Sequence, residues 1–430
     1  MKFFRTAAAV LAATFTLAHA SPAHASPAHL DAEEARHLLM RTGFAPSASE
    51  IAALQGVSAE RAVDDIIAAA QRAQPRHTLT AQDLAAPSRE EVAAMSREER
   101  QLARRDQIRE GSAIKEWWMR EMVETPTPLA ERMTLFWHGH FATSQQKVVR
   151  AEAMWRQQQL LRANALGSFR DLLHGVARDP AMLVYLDGAR SRKEAPNENF
   201  AREVMELFTL GEATQGGGYT EQDIKEAARA FTGWSIEPAD FSFRFRPGAH
   251  DRGIKTVLGR SGAFDGDQLL DVVLEQPQAA RFITAKLWRE FVSPTPDPRE
   301  VDRIANRFRA GNYDVAIALR ELLLSDAFWD RANRNALVKS PVELVVGSVR
   351  ELGGEVRDMK PLVAKCAQLG QNLLVPPNVK GWPGYTEWIN ATTLLERKRF
   401  ADQLVAYVPA DAQRLAAFRQ AAMQPSFQLK

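Results

Sequence analysis

The chain has 430 residues, with 55 basic side chains against 53 acidic ones and a formal charge of +2. So even a balance argues against general electrostatic attraction to nucleic acid or anionic lipid, which rests on an excess of Lys and Arg. Its single cysteine, Cys366, excludes an intrachain disulfide, and a chain of this length buries enough apolar surface to fold without one.

Residues 1–25 read as a secretory signal peptide. Lys2 and Arg5 form a basic start, residues 6–18 are almost wholly apolar, and Ala18-His-Ala20 or Ala23-His-Ala25 offers the small-x-small cleavage pattern. The apolar run is short for a membrane span, and no later stretch reaches the roughly 18–20 uninterrupted apolar residues that a spanning helix needs. Removing residues 1–25 takes away two basic residues and no acidic ones, leaving 53 against 53. There is no twin-arginine pair before the apolar run and no cysteine near the cleavage site to accept lipid. The expected location is the periplasm or the exterior, reached by general secretion.

Residues 26–430 read as a single helical domain. The expected fold is mainly α, a multi-helix globular array with one small β-hairpin inserted at about 241–258. Capping signals carry this reading: Asp31 with Glu34, Ser47 with Glu50, Ser88 with Glu91, and Thr220 with Asp223 each pair an N-cap with an acid three residues later. Ser340-Pro341 with Glu343 adds proline at the first helical position, while Gly43, Gly211 and Gly353 stand where helices should end. The chain thus divides into an N-terminal helical region at 26–80 and a motif-rich core at 81–235, which opens with a long charged helix over about 88–122. An insertion at 236–262 and C-terminal helices at 263–430 follow. Within the insertion the aromatics of Phe241-Ser-Phe-Arg-Phe-Arg246 alternate with polar residues as in a half-buried strand. Ile254–Leu258 is the expected returning strand, with His250 and Asp251 at an exposed loop tip.

The densest polar pattern is Pro196-Asn-Glu-Asn-Phe-Ala-Arg-Glu-Val-Met-Glu-Leu-Phe-Thr-Leu-Gly211. Asn199, Arg202, Glu203 and Glu206 share one helical face, and Phe200, Val204, Leu207 and Phe208 form the apolar one. This segment has four companions: His37-Leu-Leu-Met-Arg-Thr-Gly-Phe44, Leu135-Phe-Trp-His-Gly-His-Phe-Ala-Thr-Ser144, Tyr219-Thr-Glu-Gln-Asp223 running to Phe231-Thr-Gly-Trp234, and Pro376-Pro-Asn-Val-Lys-Gly-Trp-Pro-Gly384. In this order, with Asp179–Asp187 and His250-Asp251, they resemble the bacterial family called domain of unknown function 1800, over nearly all of the mature chain. The resemblance implies an exported helical protein without an assigned activity. It also implies a partner, a co-encoded exported protein of a family resembling sulfatases and alkaline phosphatases.

Three groups of residues carry chemistry. His138-Gly-His140 in extended backbone would send both imidazoles to one side, and with His250 or a carboxylate would make a three-ligand site for a divalent transition metal such as zinc. In that reading Asn197, Asn199, Arg202, Arg229 and Asp251 orient ligands or form the surrounding network; the alternative is that both histidines make only structural hydrogen bonds. Glu203 and Glu206 are spaced for an acid–base pair, or else form a buried ion network with Arg202, Arg229 or Arg178, in which case replacing Glu203 should cost several kcal/mol. Trp382, Tyr385 and Trp388 would present stacking faces to a glycan or a partner protein if exposed, or pin an irregular loop if buried. No Gly-x-Ser-x-Gly elbow or phosphate loop is present. Two functions follow: a metal-assisted hydrolase of the cell envelope, with Glu203, Glu206 or Asp251 serving catalysis, or a non-catalytic helical scaffold for the co-encoded protein.

Overall fold

Helices begin where the capping residues stand. In a computed structural model, which describes residues 26–79, 84, 86–404, 408 and 410–430, Asp31, Ser47, Ser88, Thr220 and Ser340 each accept from the backbone N–H three residues on, while the acid there bonds back to the cap. The expected signal peptide lies outside the described residues. The long charged helix is two pieces, Arg89–Ala94 and Arg97–Glu124, because Ser96 and Glu99 form a capping box of their own. Gly353 ends the Pro341–Leu352 helix in the left-handed conformation at φ 69°, and Gly211 takes φ 84° just after the Val204–Thr209 segment. Gly43 also ends a helix, but at φ −135°.

The fold is mainly α with a small β insertion, as the periodicity implies, but the strand pairing differs from expectation. Residues 243–245 do not pair with 254–258. Strand β1 (Trp234–Ile236) pairs antiparallel with β2 (Phe243–Phe245), and β3 (Lys255–Val257) with β4 (Arg260–Gly262). The second hairpin is closed by Leu258 and Gly259, both at positive φ (52° and 76°), the geometry of a two-residue type I′ turn. Leu-Gly lacks the usual Asn-Gly or Asp-Gly signature, so the turn is silent in the sequence.

Two hydrophobic cores hold the helices together. One gathers side chains from Leu30 to Trp329, including Met133, Trp137, Phe208 and Leu287. The other joins the Arg97–Glu124 helix to the C-terminal helices through Trp118, Val346 and Leu373. The Pro128–His140 helix serves both, sending Met133 and Trp137 into the first core and Leu135 into the second. Its half-buried positions Phe136 and Gly139 lie along the seam between them. Among the described residues, no helix is long and apolar enough to cross a membrane.

Candidate functional site

A cleft of about 320 Å³ opens on that seam. The Pro128–His140 helix supplies Arg132, Phe136, Gly139 and His140; the Pro277–Phe291 helix supplies Lys286, Arg289 and Glu290. Glu343 enters from the first turn of the Pro341–Leu352 helix, and Lys430 from the end of the chain. The loop after Gln371 closes the cleft with Lys380, Trp382, Tyr385 and Trp388.

This loop is held by the His138-Gly-His140 motif, which is not extended. It forms the last turn of the Pro128–His140 helix, so side chains two residues apart leave the helix about 200° apart. His138 Nε2 accepts the backbone N–H of Leu374 at 3.1 Å, and its ring centroid lies 5.2 Å from that of Trp382. Gly381, at φ 87°, sits so close that a Cβ there would lie 2.3 Å from the carbonyl oxygen of Gly139. The glycine that close approach requires is thus Gly381, whereas a Cβ on Gly139 would meet only ordinary contact with Trp382 at 4.0 Å. Leu374 and Tyr385 also have positive φ, 60° and 57°, a conformation that costs a non-glycine residue on the order of 1 kcal/mol and needs supporting contacts.

His140 points the other way. Its Nε2 is 3.1 Å from the carbonyl oxygen of Phe208, which can only accept, so Nε2 carries the proton and Nδ1 offers a lone pair to Lys286 Nζ at 3.0 Å. The Phe208 carbonyl is available because the Asn197-capped helix Glu198–Glu203 runs into a π-helical turn, Val204–Thr209, that ends there; Leu210 N–H bonds five residues back, to Met205, at 2.7 Å. Burial keeps both histidines neutral: His138 is drawn down to about 3, with Lys115 contributing, and His140 well below its ordinary value, with Lys286 contributing.

The charges of the cleft fall into two sets. Arg132, 2% exposed, pairs with Glu290 at 2.6 Å and with Glu343; Lys430 lies 2.5 Å from Glu343 and 3.4 Å from Glu290. This quartet is neutral, and the charges of Lys430 and Arg132 outweigh burial to hold the Glu290 carboxyl below its usual value. Lys380 pairs with Glu212 at 3.2 Å. Lys286 and Arg289 form no ion pair among the described residues. Lys286 has only His140 Nδ1 and the Phe282 ring, 4.9 Å to its centroid, and Arg289 only a 3.5 Å bond to the carbonyl of Ala285. Burial, with Arg289 beside it, draws the Lys286 ammonium down to about 8.

The other expected site residues lie elsewhere or do other work. His250 is buried, not at an exposed tip: its Nδ1 lies 2.9 Å from the carbonyl of Thr232. Asp251 is bound to Arg229, which also holds Glu226, and this pairing keeps the Asp251 carboxyl down at about 2. These contacts pin the insertion to the Glu221–Ala230 helix. Among the described residues no group of three or more His, Cys, Asp or Glu side chains is gathered as a metal would need. The expected ligand set of His138, His140 and His250 is not assembled, because a helix splits the first two and a backbone carbonyl takes the third.

Nor do Glu203 and Glu206 form the expected ion network. Arg202 pairs with Glu221 (2.8 and 2.7 Å), Arg229 with Asp251, and Arg178 with Asp267. The two glutamates are half-buried beside Lys380, and burial followed by the charge of Glu206 raises the Glu203 carboxyl. Asn197 caps its helix by accepting from Phe200 N–H at 3.2 Å and donates to the carbonyl of Leu186 at 2.8 Å, while Asn199 is exposed. Trp388 is buried and Trp382 and Tyr385 are half-buried, yet all three line the cleft.

Sequence reasoning missed Lys286, Arg289, Glu290, Arg132 and Lys430 as site residues, and read Glu343 only as the capping acid of its helix. In the Pro277–Phe291 helix the apolar positions 279, 280, 283, 287, 288 and 291 are buried, so Lys286, Arg289 and Glu290 read as an ordinary solvated face. The one available signal was Glu131-Arg132, two charges inside the apolar run from Leu129 to Trp137.

Residues 37–428 match the family described as protein of unknown function (DUF1800), and the chain belongs to that family. No curated protein and no solved structure matches it.

Proposed function

Taking membership of a family without an assigned activity as the premise, we propose that this protein binds a small organic anion in the seam cleft. The anionic group sits on Lys286 and Arg289, and the organic body lies against Trp382 and Tyr385. The observation that carries this reading is the pair of cleft-lining cations without a carboxylate partner among the described residues, next to a quartet in which every charge is matched. An ammonium held out of bulk water by an aromatic face and a neutral imidazole leaves its charge unanswered. A carboxylate about 4 Å from such a cation gains on the order of 4 kcal/mol at an effective dielectric of 20, against about 1 in bulk water. Ligand clefts of this kind combine aromatic walls with a few convergent polar groups.

The metal-assisted hydrolase expected from His138, His140 and His250 lacks its ligand set, and this cleft chemistry takes its place. The scaffold reading would draw support from an exposed aromatic patch at Trp382, Tyr385 and Trp388, but these residues face inward. The N-terminal pattern of residues 1–25 supports export by the general route, to be checked by N-terminal sequencing of protein recovered from the periplasm.

The test is isothermal titration at low salt with oxalate as the probe, on the wild type and on Lys286→Met and Arg289→Met. The expected result is saturable binding to the wild type, weakened at least tenfold in each variant. No binding to the wild type, or equal binding to all three proteins, would overturn the proposal.

A further inference from the structure

Lys286 differs from the other basic groups of the cleft in the kind of partner it has. Arg132 and Lys430 each touch two carboxylates and Lys380 touches one. The Lys286 amine instead rests on a ring nitrogen whose own orientation is fixed by the Phe208 carbonyl, with Phe282 beneath it. Among the described residues nothing anionic holds its proton in place. Arg289, three residues on and in the same cleft, supplies a second positive charge.

From this geometry we infer that Lys286 is a nucleophile that condenses with the carbonyl carbon of an oxo acid whose carboxylate is held by Arg289. This rests on the anion-binding reading above and specifies its ligand as an aldehyde or ketone bearing an acid group. The step balances without a further reagent. The amine lone pair adds to the carbonyl carbon, the oxygen takes up a proton to give a carbinolamine, and loss of water leaves an imine between Lys286 and the substrate. Hydrolysis returns the free amine.

Only the unprotonated amine adds. With the ammonium drawn down to about 8, roughly a tenth of Lys286 is free base at pH 7, against a few parts in ten thousand for an ordinary lysine. The other charged or titratable groups around the cleft are Arg132 and His140 on the facing helix, Glu290 beside Arg289, Glu343, Lys430, and Lys380 and Tyr385 on the loop. The four that belong to the quartet's neutral set leave Lys286 without a counter-charge, and His140 is kept neutral by burial.

The experiment treats the full-length protein with glyoxylate and sodium cyanoborohydride, which reduces an imine to a stable carboxymethyl-lysine, and maps the modified peptides by mass spectrometry. Oxalate, which has the charge but no reactive carbonyl, is the competitor, and its binding is measured separately by titration. Lys286→Arg keeps the positive charge while removing the amine, and its fold is checked by circular dichroism. The expected result is one carboxymethyl group per chain, at Lys286, suppressed by oxalate and absent from the Lys286→Arg protein. Oxalate binding with glyoxylate labelling spread over surface lysines would overturn the nucleophile and leave the anion site standing. Absence of both oxalate binding and Lys286 labelling would overturn the two together. Labelling of Lys286 that oxalate does not suppress would also overturn the inference, because the reaction would then owe nothing to a held carboxylate.

Discussion

The floor and the wall of the seam cleft use the same kinds of side chain to opposite ends. On the floor, Arg132 and Lys430 are each answered by Glu290 and Glu343, and the four groups join four separate parts of the chain. On the wall, Lys286 and Arg289 have no counter-charge among the described residues, and Lys286 leans on a neutral histidine. Buried charges persist only when paired or when something else compensates them. The difference teaches that unpaired charge, rather than charge density, is what sets the wall apart from the floor and what the proposed anion site rests on.

The largest effect should come from the floor. Arg132→Met leaves Glu290 and Glu343 with one cation between them, and its expected cost is about 3–5 kcal/mol in denaturant unfolding. A loss below about 1 kcal/mol would mean that the quartet is not tightly coupled. Next is Gly381→Ala, which places a Cβ 2.3 Å from the Gly139 carbonyl at a backbone φ of 87°. A loss of about 1–3 kcal/mol is expected, together with weakened oxalate binding as the loop lifts off the His138 turn.

On the wall the expectation reverses. Lys286→Met should weaken oxalate binding at least tenfold while leaving the protein as stable as before, or more so, at pH 7. The sign follows from the depressed ammonium, about 8 when folded against an ordinary 10.5. Between those values the unfolded chain binds more protons, so this residue's unfavourable contribution is fully present below pH 8 and fades as the pH climbs toward 10.5. The stability gap between the variant and wild type should therefore close over that window, and a gap constant with pH would contradict the account. The smallest effect is predicted for Glu203→Gln, within about 0.5 kcal/mol, because no arginine depends on Glu203. A loss of several kcal/mol would restore the buried network that the Pro196–Gly211 pattern suggests.

Much of the scaffold was legible in the sequence because its signals are local. Asp31-x-x-Glu34 or Ser340-Pro-x-Glu343 specifies a helix start within four residues, and the structure honours each one. The hairpins were half legible: alternation at Phe241–Arg246 found a strand, but its partner at Trp234–Ile236 and the Leu258-Gly259 turn carry no strong signature. The site divides along the same line. His140, Trp382, Tyr385 and Trp388 stood out as unusual residues in unusual segments, and all of them line the cleft. Their role did not follow, since Lys286 lies 146 positions from His140 and reads locally as one more lysine on an amphipathic helix. For His138 and His140 the two readings part for a physical reason: a helical rather than extended backbone turns a pair of neighbouring ligands into two hydrogen-bonded anchors facing different ways, as the alternative to a metal site had it.

The most direct test of the unanswered charges is a crystal of the protein soaked in 4-bromobenzoate, located by the anomalous signal of its bromine. The account predicts the carboxylate within hydrogen-bond distance of Lys286 and Arg289, with the ring against Trp382 and Tyr385. Bromine found only outside the seam cleft, at a concentration that saturates binding in solution, would contradict it.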